Sequence, residues 1–193
     1  MKEELTEAFL KNQAYLKRLA YRFTAHSEKA NDLIQETYLK ALNHISYFRG
    51  EANFKTWLTK ILVNTYFSKQ RKRKQHVSIE LERIAFSGNY INNPERIVVK
   101  RELQWCVQHV LNHHLQERYR IALVLREINN LSYDEIAYSM GVSVDVVRSL
   151  IYRSKKSFRK HLVKTGCYLF VKEYSCICDG IVDDASFPIS LDM

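Results

Sequence analysis

Residues 131–162 hold the side chains with the clearest chemistry. Arg148, Ser149, Tyr152, Arg153, Lys156, Arg159 and Lys160 recur at helical spacing, and at about 100° per residue they collect on one side of a helix. Val147, Ile151, Ser154 and Phe158 collect on the other, flanked by Val144 and Leu150. Guanidinium, ammonium and hydroxyl groups on an exposed face can grip phosphate oxygens and the hydrogen-bonding edges of bases. A solvated amphipathic helix would carry such charges too, so the preceding residues decide. Ser132 stands where a cap is wanted and Glu135 lies three residues on, a capping box. Ile136, Ala137 and Met140 fall at helical spacing, and Gly141 can take the positive φ that a short turn needs. Ser143 is a natural cap for the next helix. Small Ala137 lets two helices cross closely. The stretch therefore reads as a helix-turn-helix whose second helix lies in a major groove.

A second set of reactive side chains lies in the tail. Cys167, Cys176 and Cys178, with His161, have the soft donors of a metal or redox site. A lone Cys-x-Cys is a weak signal, and small buried cysteines are common. No metal and no cofactor is therefore expected, and Cys106, within a helix, reads as a core residue. No nucleophile–base pair, phosphate loop or paired-carboxylate constellation occurs at a recognisable spacing, which argues against an enzyme.

The elements that position these residues are helical. Only five Gly and two Pro occur in 193 residues. A first helix is expected over residues 3–25, with Leu5, Phe9, Leu16, Leu19 and Phe23 inward. It breaks at His26 and Ser27, and Ser27 can cap the second helix. That helix runs over 28–45, burying Leu33, Ile34, Tyr38, Ala41, Leu42 and Ile45 and leaving Asp32, Gln35, Glu36 and Lys40 outward. After the loop 46–53, a third spans 54–73, with Phe54, Trp57, Leu58, Ile61 and Leu62 as a core-facing stripe. It ends in Lys69-Gln70-Arg71-Lys72-Arg73-Lys74, five basic residues in six, which suit a helix C-terminus and phosphate alike. Residues 75–92 lack a sustained period and read as a flexible linker. Asn93-Pro94 restarts helix, and further helices are expected over 95–111 and 116–127. Together these predict an all-α chain of two helical domains, 1–74 and 93–162, and then a small tail, 163–193, with short strand-like runs.

Charge is unevenly spread. The whole chain carries +9 and residues 163–193 carry two basic and five acidic residues, so the tail is −3 and residues 1–162 are +12. That asymmetry favours a polyanionic partner. No apolar run approaches membrane-span length, and the polar N-terminus does not read as a signal peptide. A cytoplasmic protein with reduced thiols is expected.

Two separated stretches resemble the sigma factors of bacterial RNA polymerase, specifically the small two-domain extracytoplasmic-function type of the sigma-70 family. The first comprises ANDLIQETYLKA at 30–41 and FKTWLTKILVNTYFSKQRKRK at 54–74. The second is residues 126–156, with LREINNLSYDEIAYSMGVS at 125–143 especially close. The resemblance covers about residues 3–162 and implies a non-catalytic transcription initiation factor. Its implied partners are core RNA polymerase, promoter DNA and an anti-sigma factor that masks both domains. It assigns Asp32, Gln35, Glu36 and Thr37, read as one outward face, to polymerase binding. Tyr47, Phe48, Arg49, Lys60, Asn64, Lys69 and Arg71 are assigned to the minus-ten element, where aromatic faces beside Arg can hold an unstacked base. Trp57 and Phe54 read as core. Ser143, Arg148, Ser149, Tyr152, Arg153, Lys156 and Arg159 are assigned to the minus-thirty-five element. Leu150 stands where relatives commonly have Arg, and Leu111-Asn112 replaces a frequent Leu-Pro. A free-standing operator-binding regulator would leave the DLIQET helix and the FKTW stretch without a role. A metal- or redox-sensing interaction protein would explain only the tail.

Overall fold

The computed structural model describes residues 2–50, 52–74 and 106–165, and every described element is helical. The linker, the start of the helix expected over 95–111, and the tail with Cys167, Cys176 and Cys178 lie outside the described residues.

The first helix, α1, spans Lys2–Thr24. Phe9, Leu16, Leu19 and Phe23 are buried, as the apolar spacing predicts, and so is Ala20; the side chain of Leu5 lies outside the described residues. Burying each of the larger side chains contributes about 1.5–3 kcal/mol. The helix stops at Ala25, whose φ of 58° is left-handed. Its amide donates to the Tyr21 carbonyl at 2.7 Å. Helix α2 spans Ser27–His44, with His26 at the cap position in extended conformation and no side-chain cap. Ser27, expected to cap, is instead the first helical residue. Leu33, Ile34 and Ala41 are buried as expected, while Tyr38, Leu42 and Ile45 are only half-buried. A short 3-10 turn, Ile45–Tyr47, comes next.

Helix α3 spans Phe54–Lys74. Trp57, Leu58 and Leu62 are buried as expected, while Phe54 and Ile61 are only half-buried. Val63, Tyr66 and three threonines, Thr56, Thr59 and Thr65, are also buried. The predicted stripe was too narrow because α1, α2 and a later helix, α6 (Tyr133–Met140), all pack on α3. Threonine tolerates that burial by returning its hydroxyl to the helix. Thr59 donates to the Lys55 carbonyl at 2.8 Å and Thr65 to that of Ile61 at 2.7 Å.

By contacts the chain divides into two compact units. The first holds α1, α2, α3 and α6. The second holds α4, residues 106–113, α5, Glu117–Leu123, and α7, Val144–Lys164. Its core includes Val107, Val110, Leu111, Ile121, Leu125, Val147, Ile151, Phe158 and Leu162, and Cys106 is buried as expected. The helix expected over 116–127 is α only to Leu123; Val124–Ile128 widens into a π turn. Asn129 and Asn130 account for this ending. The Asn129 side-chain amide donates to the Val124 carbonyl at 2.9 Å. Asn130 takes a φ of 52°, which asparagine tolerates better than most residues.

Candidate nucleic-acid interface

Helix α7 has the two faces its sequence predicts. Val147, Ile151, Ser154, Phe158 and Leu162 are buried. Buried Ser154 donates its hydroxyl to the Ile151 carbonyl at 2.8 Å, so it costs the core no unpaired polar group. Arg148, Ser149, Tyr152, Arg153, Lys156, Arg159 and Lys160 are all exposed, and Leu150 lies at the edge. The tyrosine, 61% exposed, is the one large aromatic on that face. Arg148 sits 3.3 Å from Asp145, but both side chains are mostly exposed. Such a surface pair is worth about 1 kcal/mol at most, so an approaching base can displace the carboxylate. Lys155 turns the other way, pairing at 3.0 Å with the largely buried Glu127.

The turn before α7 closes as predicted. Gly141 has a φ of +65°, with open space where a Cβ would stand. The Val142 amide donates back to the Ala137 carbonyl at 3.1 Å, the six-to-one bond of a Schellman ending. Ser143 is exposed.

The loop before α3 separates its two neighbouring aromatics. Tyr47 is 73% exposed. Phe48 turns inward, its ring centroid 5.6 Å from Phe54 and 5.1 Å from Trp57, both ordinary aromatic-pair distances. Tyr47 is therefore the aromatic face this loop leaves open and Phe48 its inner support. Arg49 is exposed, and Gly50 turns the chain with a φ of +72°. Asn53 then caps α3, its Oδ1 accepting from the Thr56 amide at 2.8 Å. This cap was missed on sequence, although Asn three residues before a buried Thr is a recognisable cap signal.

Further along α3, Asn64 and Arg71 are exposed. Lys60 lies 4.0 Å over the Tyr138 ring, a cation–π contact that a DNA phosphate would have to compete with. Lys69 pairs with Glu36 at 3.1 Å, and Glu36 also binds Lys40 at 2.8 Å. Burial pushes the Glu36 carboxyl up, but hydrogen bonds and charge from Lys40 and Lys69 outweigh it and hold the group below the usual carboxylate range. Lys69 thus faces α2, not open solvent alone.

On α2, Asp32 and Gln35 are exposed and Glu36 is half-buried. Thr37 is fully buried, its hydroxyl donating to the Leu33 carbonyl at 2.6 Å. Its placement on the outward face is corrected: a polar residue at the edge of an apolar stripe can satisfy itself on the helix backbone and go inside. A cleft of about 310 Å³ opens beside Asp32, floored by Leu33 and Tyr66 and rimmed by Lys29, Lys69 and Arg73.

Glu135 also has a partner the capping-box reading did not foresee. Its Oε1 lies 2.9 Å from the Thr56 hydroxyl and 3.3 Å from the Asn53 side-chain amide. The start of α6 is thereby joined to the start of α3.

An exposed basic face behind a Schellman turn, and a separate aromatic loop capped into a helix with a basic end, are the features of a helical DNA-binding factor. The sequence matches Sigma-70 region 2 over residues 8–76 and Sigma-70 region 4 over residues 106–158. It is 34% identical to the RNA polymerase sigma-H factor of Pseudomonas aeruginosa over 161 residues, 79% of this chain and 83% of the relative. It is 37% identical to the ECF RNA polymerase sigma-E factor of Escherichia coli over 134 residues, 65% of this chain and 70% of the relative. The fold resembles the sigma factor RpoE solved with the anti-sigma factor NepR from Bartonella quintana (TM-score 0.62, 23% identity, covering 83% of this chain and 97% of that one). It also resembles CnrH solved with the cytosolic domain of CnrY (TM-score 0.59, 20% identity, 85% and 90% covered). The chain belongs to the sigma-70 family of RNA polymerase sigma factors, in its extracytoplasmic-function branch, and serves promoter-directed transcription initiation. Among the described residues no helix is long and apolar enough to cross a membrane.

Proposed function

We propose that this sigma factor divides its labour between residues 1–74 and 93–162, with 75–92 bridging them. Asp32, Gln35 and the half-exposed Glu36 meet core RNA polymerase. Tyr47 stacks on a melted minus-ten base, with Arg49, Asn64 and Arg71 beside it on the DNA. Lys60 and Lys69 join them only by exchanging Tyr138 and Glu36 for phosphate. The exposed face of α7 reads the minus-thirty-five element. An anti-sigma factor masks these surfaces until the signal arrives. The factor works in the cytoplasm, without a cofactor and without catalysing a reaction itself.

The observation that carries this reading is the face of α7. Seven polar or basic side chains stand exposed opposite an unbroken buried stripe, as helix insertion in a groove requires. The test is transcription in vitro from a promoter library, with and without added core polymerase. Specific initiation only with core enzyme supports the reading. A tight sequence-specific footprint from the protein alone would favour the operator-binding alternative.

A further inference from the structure

The first turn of α7 carries one outward side chain that is neither charged nor polar. Val146 is 43% exposed. Val144 and Val147 turn towards the protein, half-buried and buried respectively. Val146 shares the outer side with Ser149, three positions on, and Arg153, seven positions on, both exposed. At about 100° per residue Val146 and Arg153 fall almost in line along the helix, with Ser149 beside that line. Arg148 stands about 200° from Val146 on the same wheel, so the two reach to different sides.

Local helix chemistry does not ask for valine there. Ser143 immediately precedes α7, and three residues after such a serine a helix start favours Glu or Gln, which can reach back to the cap. The positive end of the helix dipole favours a carboxylate at the same place. Position 146 has an alkyl group that the core does not use. A major groove supplies what the protein does not. It presents hydrogen-bonding base edges and a single apolar group, the 5-methyl of thymine. A helix seated in the groove meets base edges with its N-terminal residues, and Val146 is among them.

We propose that Val146 reads the 5-methyl of a thymine in the minus-thirty-five element, an apolar specificity contact beside the polar ones of α7. The inference rests on the proposed seating of α7 on that element. Bringing the valine methyls against the thymine methyl takes apolar surface of both out of water. Cytosine lacks that methyl and presents an amino donor that valine cannot satisfy, so the contact favours thymine over cytosine. A Glu at 146 would set a carboxylate against the DNA phosphates, which valine avoids. Because Val146 and Arg148 reach to different sides, the methyl belongs to a base pair other than the one that Arg148 grips.

The test uses the full chain assembled with core RNA polymerase. Each thymine on either strand of the minus-thirty-five element is replaced singly by deoxyuridine, which removes only the methyl. One position should cost the unaltered protein about fourfold in affinity, the worth of one carbon taken out of water. Val146→Ala should show little or no loss at that position, with an unchanged melting temperature because the side chain is exposed. Arg148→Ala should retain the deoxyuridine penalty while relaxing preference at a different base pair. Absence of any deoxyuridine penalty in the unaltered protein, or an equal penalty in Val146→Ala, would overturn the proposal. The Arg148→Ala variant tells the two failures apart. If it relaxes base preference while no deoxyuridine penalty appears, only the role of Val146 falls. If it too leaves every base preference in the element unchanged, the seating of α7 falls with it.

Discussion

The carboxylate of Glu36 lies 3.1 Å from the ammonium of Lys69, joining α2 to the basic end of α3. Both side chains are more than a third exposed, so the pair contributes modestly, about 0.2–1 kcal/mol. Its pH signature has a definite sign. The folded-state pKa of Glu36 is lowered, so the stabilisation is full above the unfolded carboxylate range. It is lost as the pH falls through the lowered folded value. Glu36→Gln should flatten the acid limb of a stability–pH curve and change little near neutrality. An unchanged acid limb would show that the pair carries no net interaction.

That same contact dictates how the proposed polymerase face should be probed. Reversing Glu36 would set like charges against Lys40 and Lys69 and confound binding with folding. Asp32→Arg with Gln35→Arg spares those contacts, since both positions are exposed. This double variant should keep its circular dichroism and melting temperature and lose core polymerase in a pull-down. Like charges across a contact of that kind cost several kcal/mol.

Thr56 is almost fully buried and its one hydroxyl proton is shared between Asn53 and Glu135, each 2.9 Å away. Thr56→Val removes that donor at nearly constant shape and should lower stability by about 1 kcal/mol, or more through the carboxylate left short of a partner. Asn53→Ala removes the α3 cap and should cost about 1 kcal/mol. Urea denaturation measures both. Because the two share a network, the double variant should lose less than the sum.

Gly141 separates backbone from packing. No atom lies within contact of a Cβ added there, and its φ is +65°. Gly141→Ala should therefore cost about 1–2 kcal/mol through backbone strain alone. Gly141→Asn should cost less, because asparagine tolerates the left-handed region. A larger loss for Asn than for Ala, read from melting curves, would place the penalty in side-chain contacts instead.

On α7, Arg148 lies in the second turn and Lys156 two turns beyond it. Arg148→Ala should relax preference at one or two base pairs of the minus-thirty-five element, a discrimination of about 1–3 kcal/mol. Lys156→Ala should weaken all promoters alike and lower the salt slope by about one unit. Holoenzyme affinities across single-base promoter variants at several salt concentrations distinguish them. The opposite assignment of effects would mean the helix lies reversed in the groove.

The faces of α7 were legible in the sequence, as was the glycine turn before it. A 3.6-residue period and a residue type restricted by backbone sterics are local properties that tertiary contacts did not override. The same holds for the inner stripe of α1 and for Trp57 as core. Other features belong to the tertiary structure because they depend on partners distant in sequence. Tyr47 and Phe48 are adjacent and chemically alike, and only the packing of Phe54 and Trp57 turned one inward. Thr37, Thr56, Thr59 and Thr65 read as polar, and only the helices around them put them inside. Glu135 accepts from Thr56, seventy-nine positions away, and Lys69 answers to Glu36 on another helix. Periodicity fixes which side of a helix is apolar. Which polar group is buried, paired or left for DNA is set by the groups that the fold brings opposite it.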